Sequence, residues 1–146
     1  KICLTHIKKE QLTMNKVINS FDIDGVIFMG NGVGGVYPGP DDIIITGRSK
    51  EEEEETIEML HSKGIFNDVY FNPLSFDQKT RESSGAHKGR TMYYLEEMGI
   101  RIAIHFEDDP VQIEQINKIM PNVQTVLLQH DLVEKENVRH YNTATA

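Results

Sequence analysis

Five short apolar runs, at residues 17–22, 43–46, 69–71, 102–106 and 125–128, alternate with segments of helical character. Strands that take turns with amphipathic helices are the pattern of parallel βαβ units, so the runs predict an α/β fold with one sheet between helical layers. The helices carry their own punctuation. Ser49 with Glu52 three residues later forms a capping box, and Gly64 supplies a left-handed stop. Between them Ile57 and Leu60, flanked by Thr56, make the apolar stripe, while the acidic run at 51–55 reads as a solvated face whose first members favour the positive helix start. A second helix is predicted from about His87 to Met98, ending at Gly99, with Met92, Leu95 and Met98 toward the sheet and Tyr93 and Tyr94 as packing residues. A third begins with Asp109 as cap and Pro110 at the first position, carries Val111, Ile113 and Ile116, and cannot continue past Pro121.

A chain of 146 residues suits one domain with a real core. Its formal charge of −8 argues against a protein that coats nucleic acid through a wholly basic surface, although a local basic patch is compatible with it. Cys3 is the only cysteine, which excludes an intramolecular disulfide and a cysteine-based zinc site and predicts a reducing, cytoplasmic setting. No apolar run reaches the roughly 20 residues needed to cross a bilayer, so no membrane partner is expected. Residues 1–13 lack the apolar stretch of a secretory signal and read as a leader or accessory segment, with Met14 a natural start. Residues 14–133 form the predicted domain, and 134–146 a polar tail.

The chemistry is concentrated where strands are predicted to end. Asp22 and Asp24 follow the first strand and precede Gly25, Thr46 follows the second, Lys88 opens a helix, and Glu107, Asp108 and Asp109 follow the fourth. Each alone has an ordinary explanation: a strand-to-turn junction, a buried strand, a surface lysine, a helix cap. Together they converge, because in open α/β sheets the ligand crevice lies outside the carboxyl ends of the strands. The set suits phosphoryl transfer through an aspartyl-phosphate. A carboxylate approaching a phosphate dianion needs a divalent cation to offset like charges. Magnesium fits, held by the Asp22 carboxylate, the Asp24 backbone carbonyl and Asp108, with several waters retained. Thr46 and Lys88 then hold the phosphoryl oxygens, and Asp24 protonates the leaving group and later deprotonates water.

These residues resemble the four motifs of the haloacid dehalogenase superfamily in its phosphatase branch. Phe21-Asp22-Ile23-Asp24-Gly25-Val26 resembles the first motif, Ile45-Thr46-Gly47-Arg48 the second, Lys88 the third, and Phe106-Glu107-Asp108-Asp109 the acidic fourth. The resemblance spans roughly residues 17–128. It implies a Rossmann-like, mainly parallel five-stranded sheet in the order 5-4-1-2-3, Asp22 as nucleophile, Asp24 as acid/base, Gly47 and Arg48 with Thr46 and Lys88 at the substrate, and a required magnesium. An aspartate at the second acidic position of the first motif resembles phosphatases rather than dehalogenases. Lys79 competes with Lys88 for the third role; Lys88 is preferred because it opens the helix leading into strand four. Among the fourth-motif acids Asp108 is the expected metal ligand, with Asp109 or Glu107 acting through water.

The intervals between motifs leave no room for a cap domain: residues 29–36 read as a glycine-rich hairpin, and residues 72–86 as a loop. An uncapped site implies a large substrate or a homo-oligomer whose neighbouring subunit covers it. Lys79, Arg81, His87, Lys88 and Arg90 predict a locally basic approach, suited to a phosphorylated small molecule or a nucleic-acid end. The capless plan also resembles, loosely, the 3'-phosphatase domain of polynucleotide kinases. A different class, a receiver-like module that accepts phosphate or binds metal without turnover, is disfavoured by Asp24, for which a pure acceptor has no use.

Overall fold

The continuous apolar run Ile43-Ile44-Ile45 is what a parallel strand covered on both faces requires. In the computed structural model, which describes residues 16–30 and 32–135, Ile43 and Ile45 enter one core cluster and Ile44 the other, as the two-residue side-chain period dictates. The strands are β1 (Lys16–Phe21), β2 (Ile43–Ser49), β3 (Val69–Asn72), β4 (Ile100–Glu107) and β5 (Gln124–Leu127). All pair in parallel, in the order β3-β2-β1-β4-β5, which is the predicted order read from the other edge. β1 is therefore central, and Asp22 leaves the middle of the sheet. No cap domain interrupts the described residues.

Three helices cover the sheet: α1 (Glu53–Ser62), α2 (Arg81–Glu97) and α3 (Pro110–Ile119). Ser49 makes the predicted capping box with Glu52, over a single 3-10 turn that leads into α1. Leu60 of α1 is buried with Phe21, Ile23, Val26, Ile27, Ile44 and Ile65 on one face. Met92 and Leu95 of α2 and Ile116 of α3 pack on the other against Ile18, Ile43, Ile45 and Ile102. Burying side chains of this size contributes about 1.5–3 kcal/mol each before chain entropy is subtracted. Met98, expected toward the sheet, and Tyr93 and Tyr94, expected as packing residues, are exposed instead. The tyrosines lie on the outer face of α2, because Met92 and Leu95 fix which side of the helix turns inward, and Met98 is the residue just past its end.

α2 also starts six residues earlier than the sequence predicts. Thr80 caps it in a reciprocal pair with Ser83, so the expected loop over 72–86 is partly helix. The apolar period is missing from that first stretch because small and charged residues occupy it. Gly85 there allows close approach of α3: a Cβ would stand 2.7 Å from the Gln112 Cα and 2.8 Å from its carbonyl oxygen. Gly85→Ala gains about 1 kcal/mol of helix propensity but overpacks backbone against backbone, which costs about 1–3 kcal/mol. We expect net destabilisation of about 1 kcal/mol in urea unfolding; a stabilised variant would mean that the helices pack less closely than described.

The predicted hairpin at 29–36 is not formed: the described residues there carry no strand, and the adjoining first-motif loop has only an isolated bridge between Asp24 and Phe28. Glycines without alternating apolar residues give a hairpin no face to bury. The loop is tied back by the Val36 amide, which donates to the Val26 carbonyl at 2.8 Å. Residues 1–13, Cys3, Met14 and most of the predicted tail lie outside the described residues. No helix among the described residues is long and apolar enough to cross a membrane.

Candidate active site

A register shift in β4 decides what faces the site. Ile18 of β1 pairs with Ile102, but Asn19 pairs with Ile104 and Ser20 with His105, so one residue of β4 is bulged. The extra residue puts Ile102, His105 and Glu107 on the same side although the first two are three apart. That side faces α2, and it is the side to which Ile18, Ser20 and Asp22 of the central chain point. Phe21 and Phe106 stack on the opposite face with ring centroids 4.6 Å apart.

From this face a buried polar chain runs through the molecule. The Ser20 hydroxyl donates to His105 Nδ1 at 2.7 Å, and His105 Nε2 donates to Glu107 Oε1 at 3.0 Å. Lys88 reaches in from α2 to the same Glu107 oxygen at 2.7 Å and to Asp22 Oδ1 at 3.0 Å. Lys88, Glu107 and His105 are each 0% exposed. Burial favours the neutral imidazole and lowers the His105 pKa, although the Glu107 charge opposes this. For Glu107 burial alone would raise the pKa; Lys88 first and His105 after it outweigh that and hold the carboxyl well below the ordinary range. Sequence reading missed Ser20 and His105. Two polar residues set in otherwise apolar central strands were the available signal, but the bulge concealed that they share a face.

One carboxylate oxygen from each of Asp22, Glu107 and Asp108 lies within 4.8 Å of the others, and all three residues are buried. Burial and then the Glu107 charge push Asp108 up to about 6, against the pull of Lys135. Glu107 Oε2 is buried without a hydrogen-bond partner among the described residues. An all-oxygen trio carrying an excess of negative charge and an unsatisfied buried acceptor suits a hard divalent cation such as magnesium. Gly25 makes room for the Asp108 side chain: φ is +87°, and a Cβ would overlap the Asp108 carboxylate.

The remaining sequence-predicted residues take different places. Thr46, expected after the second strand, is buried midway along β2, which runs on to Ser49, and its hydroxyl oxygen accepts the Arg48 amide at 3.0 Å. The Asp24 carboxylate turns from the trio to Arg48, which binds it through Nε at 2.9 Å and Nη2 at 2.7 Å. Arg48 also donates to Thr56 Oγ1 at 3.1 Å. Asp109 faces Arg81 with bonds of 2.9 and 2.6 Å and caps α3 through the Val111 amide. Lys79 is buried, donating to the Gly47 carbonyl at 3.1 Å and to Glu52 at 3.4 Å. The predicted basic approach therefore does not assemble. Lys79, His87 and Lys88 are buried, Arg81 is paired with Asp109, and only Arg90 of the five is exposed.

His87 is tucked between β3 and α2, with Nε2 donating to the Tyr70 carbonyl at 3.4 Å and a 3.4 Å contact from Nδ1 to the Thr91 hydroxyl. Burial lowers its pKa from 6.5 to about 4. Between these values the unfolded chain binds a proton that the folded chain refuses, so this group makes stability rise with pH. Its contribution is complete above about pH 6.5 and is lost as pH falls toward 4, with an upper bound of about 3 kcal/mol. Asp108, shifted upward, has the opposite sign over the same acid range. The difference between wild type and His87→Leu in urea unfolding at pH 4.5 and 7.5 isolates the histidine: we expect the substitution to flatten the profile, and an unchanged slope would contradict a neutral, buried ring.

Comparison with models of protein families, with curated proteins and with solved structures finds no match to this chain.

Proposed function

We propose that the protein is a magnesium-dependent phosphomonoester hydrolase of the haloacid dehalogenase type, acting through an aspartyl-phosphate on Asp22. The observation that carries this reading is the meeting of Asp22, Glu107, Asp108 and Lys88 at the carboxyl end of the central strands. Magnesium held by Asp22 and Asp108 would screen the repulsion between carboxylate and phosphate. An Asp22 oxygen attacks phosphorus, forming the acyl phosphate as the ester P–O bond breaks. Asp24 gives its proton to the departing alkoxide. Asp24 then takes a proton from water, whose oxygen attacks phosphorus and frees inorganic phosphate and the Asp22 carboxylate.

Two features shape that cycle. Lys88 is fixed against Asp22 and Glu107, so it offsets the charge of the attacking acid without needing to move. Asp24, by contrast, must exchange Arg48 for the leaving-group oxygen, and Arg48 then offers phosphoryl oxygens the Nε and Nη2 donors that Asp24 gives up. The nucleic-acid alternative rested on the capless plan and on a locally basic approach; the burial of Lys79 and Lys88 weakens only the second. The substrate proposed first is a small phosphate ester, with a nucleic-acid 3'-phosphate as the alternative.

A panel of sugar phosphates, nucleotides and an aryl phosphate, assayed with magnesium and after chelation, tests the reading. Phosphate release from at least one ester, only with magnesium, is expected. Stable phosphorylation by a small acyl phosphate with no steady-state release would replace the hydrolase by a receiver-like acceptor.

A further inference from the structure

Residues 128–135, which follow β5, fold back onto the molecule. The Leu128 amide still donates to the Glu107 carbonyl at 2.8 Å, extending the sheet ladder by one bond. The chain then crosses to the first-motif loop, where His130 Nε2 donates to the Gly25 carbonyl at 2.8 Å. Its other ring nitrogen, Nδ1, accepts the Leu132 amide at 3.1 Å, so both bonds select the Nε2–H tautomer and hold the turn. Three residues further on, Lys135 Nζ meets Asp108 Oδ2 at 3.1 Å with 22% of its side chain exposed. That is the Asp108 oxygen lying closest to the space kept open by Gly25. The segment thus spans both acid-bearing loops and ends with a cation on a member of the carboxylate trio.

We propose that residues 128–135 form a strap that seats Lys135 as a resident counter-ion on Asp108, so that a divalent cation and Lys135 compete for this carboxylate and filling the site releases the Lys135 end of the strap. The inference rests on the reading of Asp22, Glu107 and Asp108 as a cation site. Its physical basis is charge balance. Without a metal, three acids face one buried lysine, and a second ammonium lowers the cost of holding them together. With a divalent ion in place the same ammonium meets like charge and loses its partner oxygen. His130, anchored on the backbone of the Asp24–Gly25 turn, keeps the strap tethered after Lys135 lets go. Release is therefore local, confined to the few residues beyond the histidine.

Calorimetric titration of magnesium chloride into the full chain, its Lys135→Met variant and a Lys118→Met control separates the possibilities. Lys118 lies at the far end of α3 from Asp109. Lys135→Met is expected to bind magnesium about fivefold more tightly than wild type, the factor that a partly exposed ion pair of about 1 kcal/mol represents. Lys118→Met should match wild type. In wild type, magnesium should also speed amide hydrogen exchange at residues 132–135. Equal or weaker affinity in Lys135→Met, or exchange unchanged by magnesium, overturns the strap while leaving the cation site standing; no magnesium binding to any of the three proteins overturns both.

Discussion

Asp22→Asn is expected to reduce turnover of any phosphate ester by at least about 10⁴-fold, because an amide oxygen neither attacks phosphorus nor supports the charge balance of the site. The fold should survive. Asn can still accept the Ile23 amide, which the Asp22 Oδ1 accepts at 2.8 Å, and Lys88 keeps Glu107 at 2.7 Å. Steady-state assay beside near-ultraviolet dichroism and urea unfolding distinguishes a dead site from a lost fold. Residual activity within about tenfold of wild type would remove Asp22 as nucleophile. Asp22→Glu should fail nearly as badly, since one methylene displaces the attacking oxygen by more than the roughly 1 Å at which oriented catalysis is already costly.

The largest stability effect should come from Lys88→Met. The ammonium is enclosed between Asp22 and Glu107, and its removal strands two buried carboxylates side by side. Breaking a buried pair from one side costs about 3–5 kcal/mol, a large part of the 5–15 kcal/mol typical of a domain. Urea midpoints should fall accordingly. Two rescues are expected: Lys88→Met with Glu107→Gln should recover part of the loss by removing one stranded charge, and magnesium should recover part by binding only the folded chain. A loss below about 1 kcal/mol would show that Lys88 does not hold these acids together.

Much of this architecture was legible because its strongest signals are local. Short apolar runs bounded by turns marked the strands, Ser49 with Glu52 and Asp109 with Pro110 marked helix starts, and alternation of strand and helix fixed parallel pairing. The convergence of Asp22 and Asp108 followed from strand ends; Lys88 was placed by a helix start that the structure moves to Arg81, leaving Lys88 inside α2. What stayed hidden depends on relations that no single segment carries. A one-residue bulge in β4 changes which side chains share a face, so the Ser20–His105–Glu107 chain could not be phased from sequence. Gly85 falls within what reads as a loop until α3 is laid against it. Lys135 reads as tail composition until the chain folds back onto Asp108, and the apparent basic patch reads as solvated until its lysines are found inside. The Asp24–Arg48 pair joins residues 24 apart, a choice of partner set by the tertiary fold.

Acid quenching of the protein during turnover, followed by mass spectrometry of its peptides, reaches the central claim most directly. Transfer through the carboxylate of the central strand predicts one transient phosphate on the peptide containing Asp22, formed only with magnesium and absent from Asp22→Asn. Sustained turnover with that peptide unmodified at every time point, or with the phosphate on another residue, would contradict it.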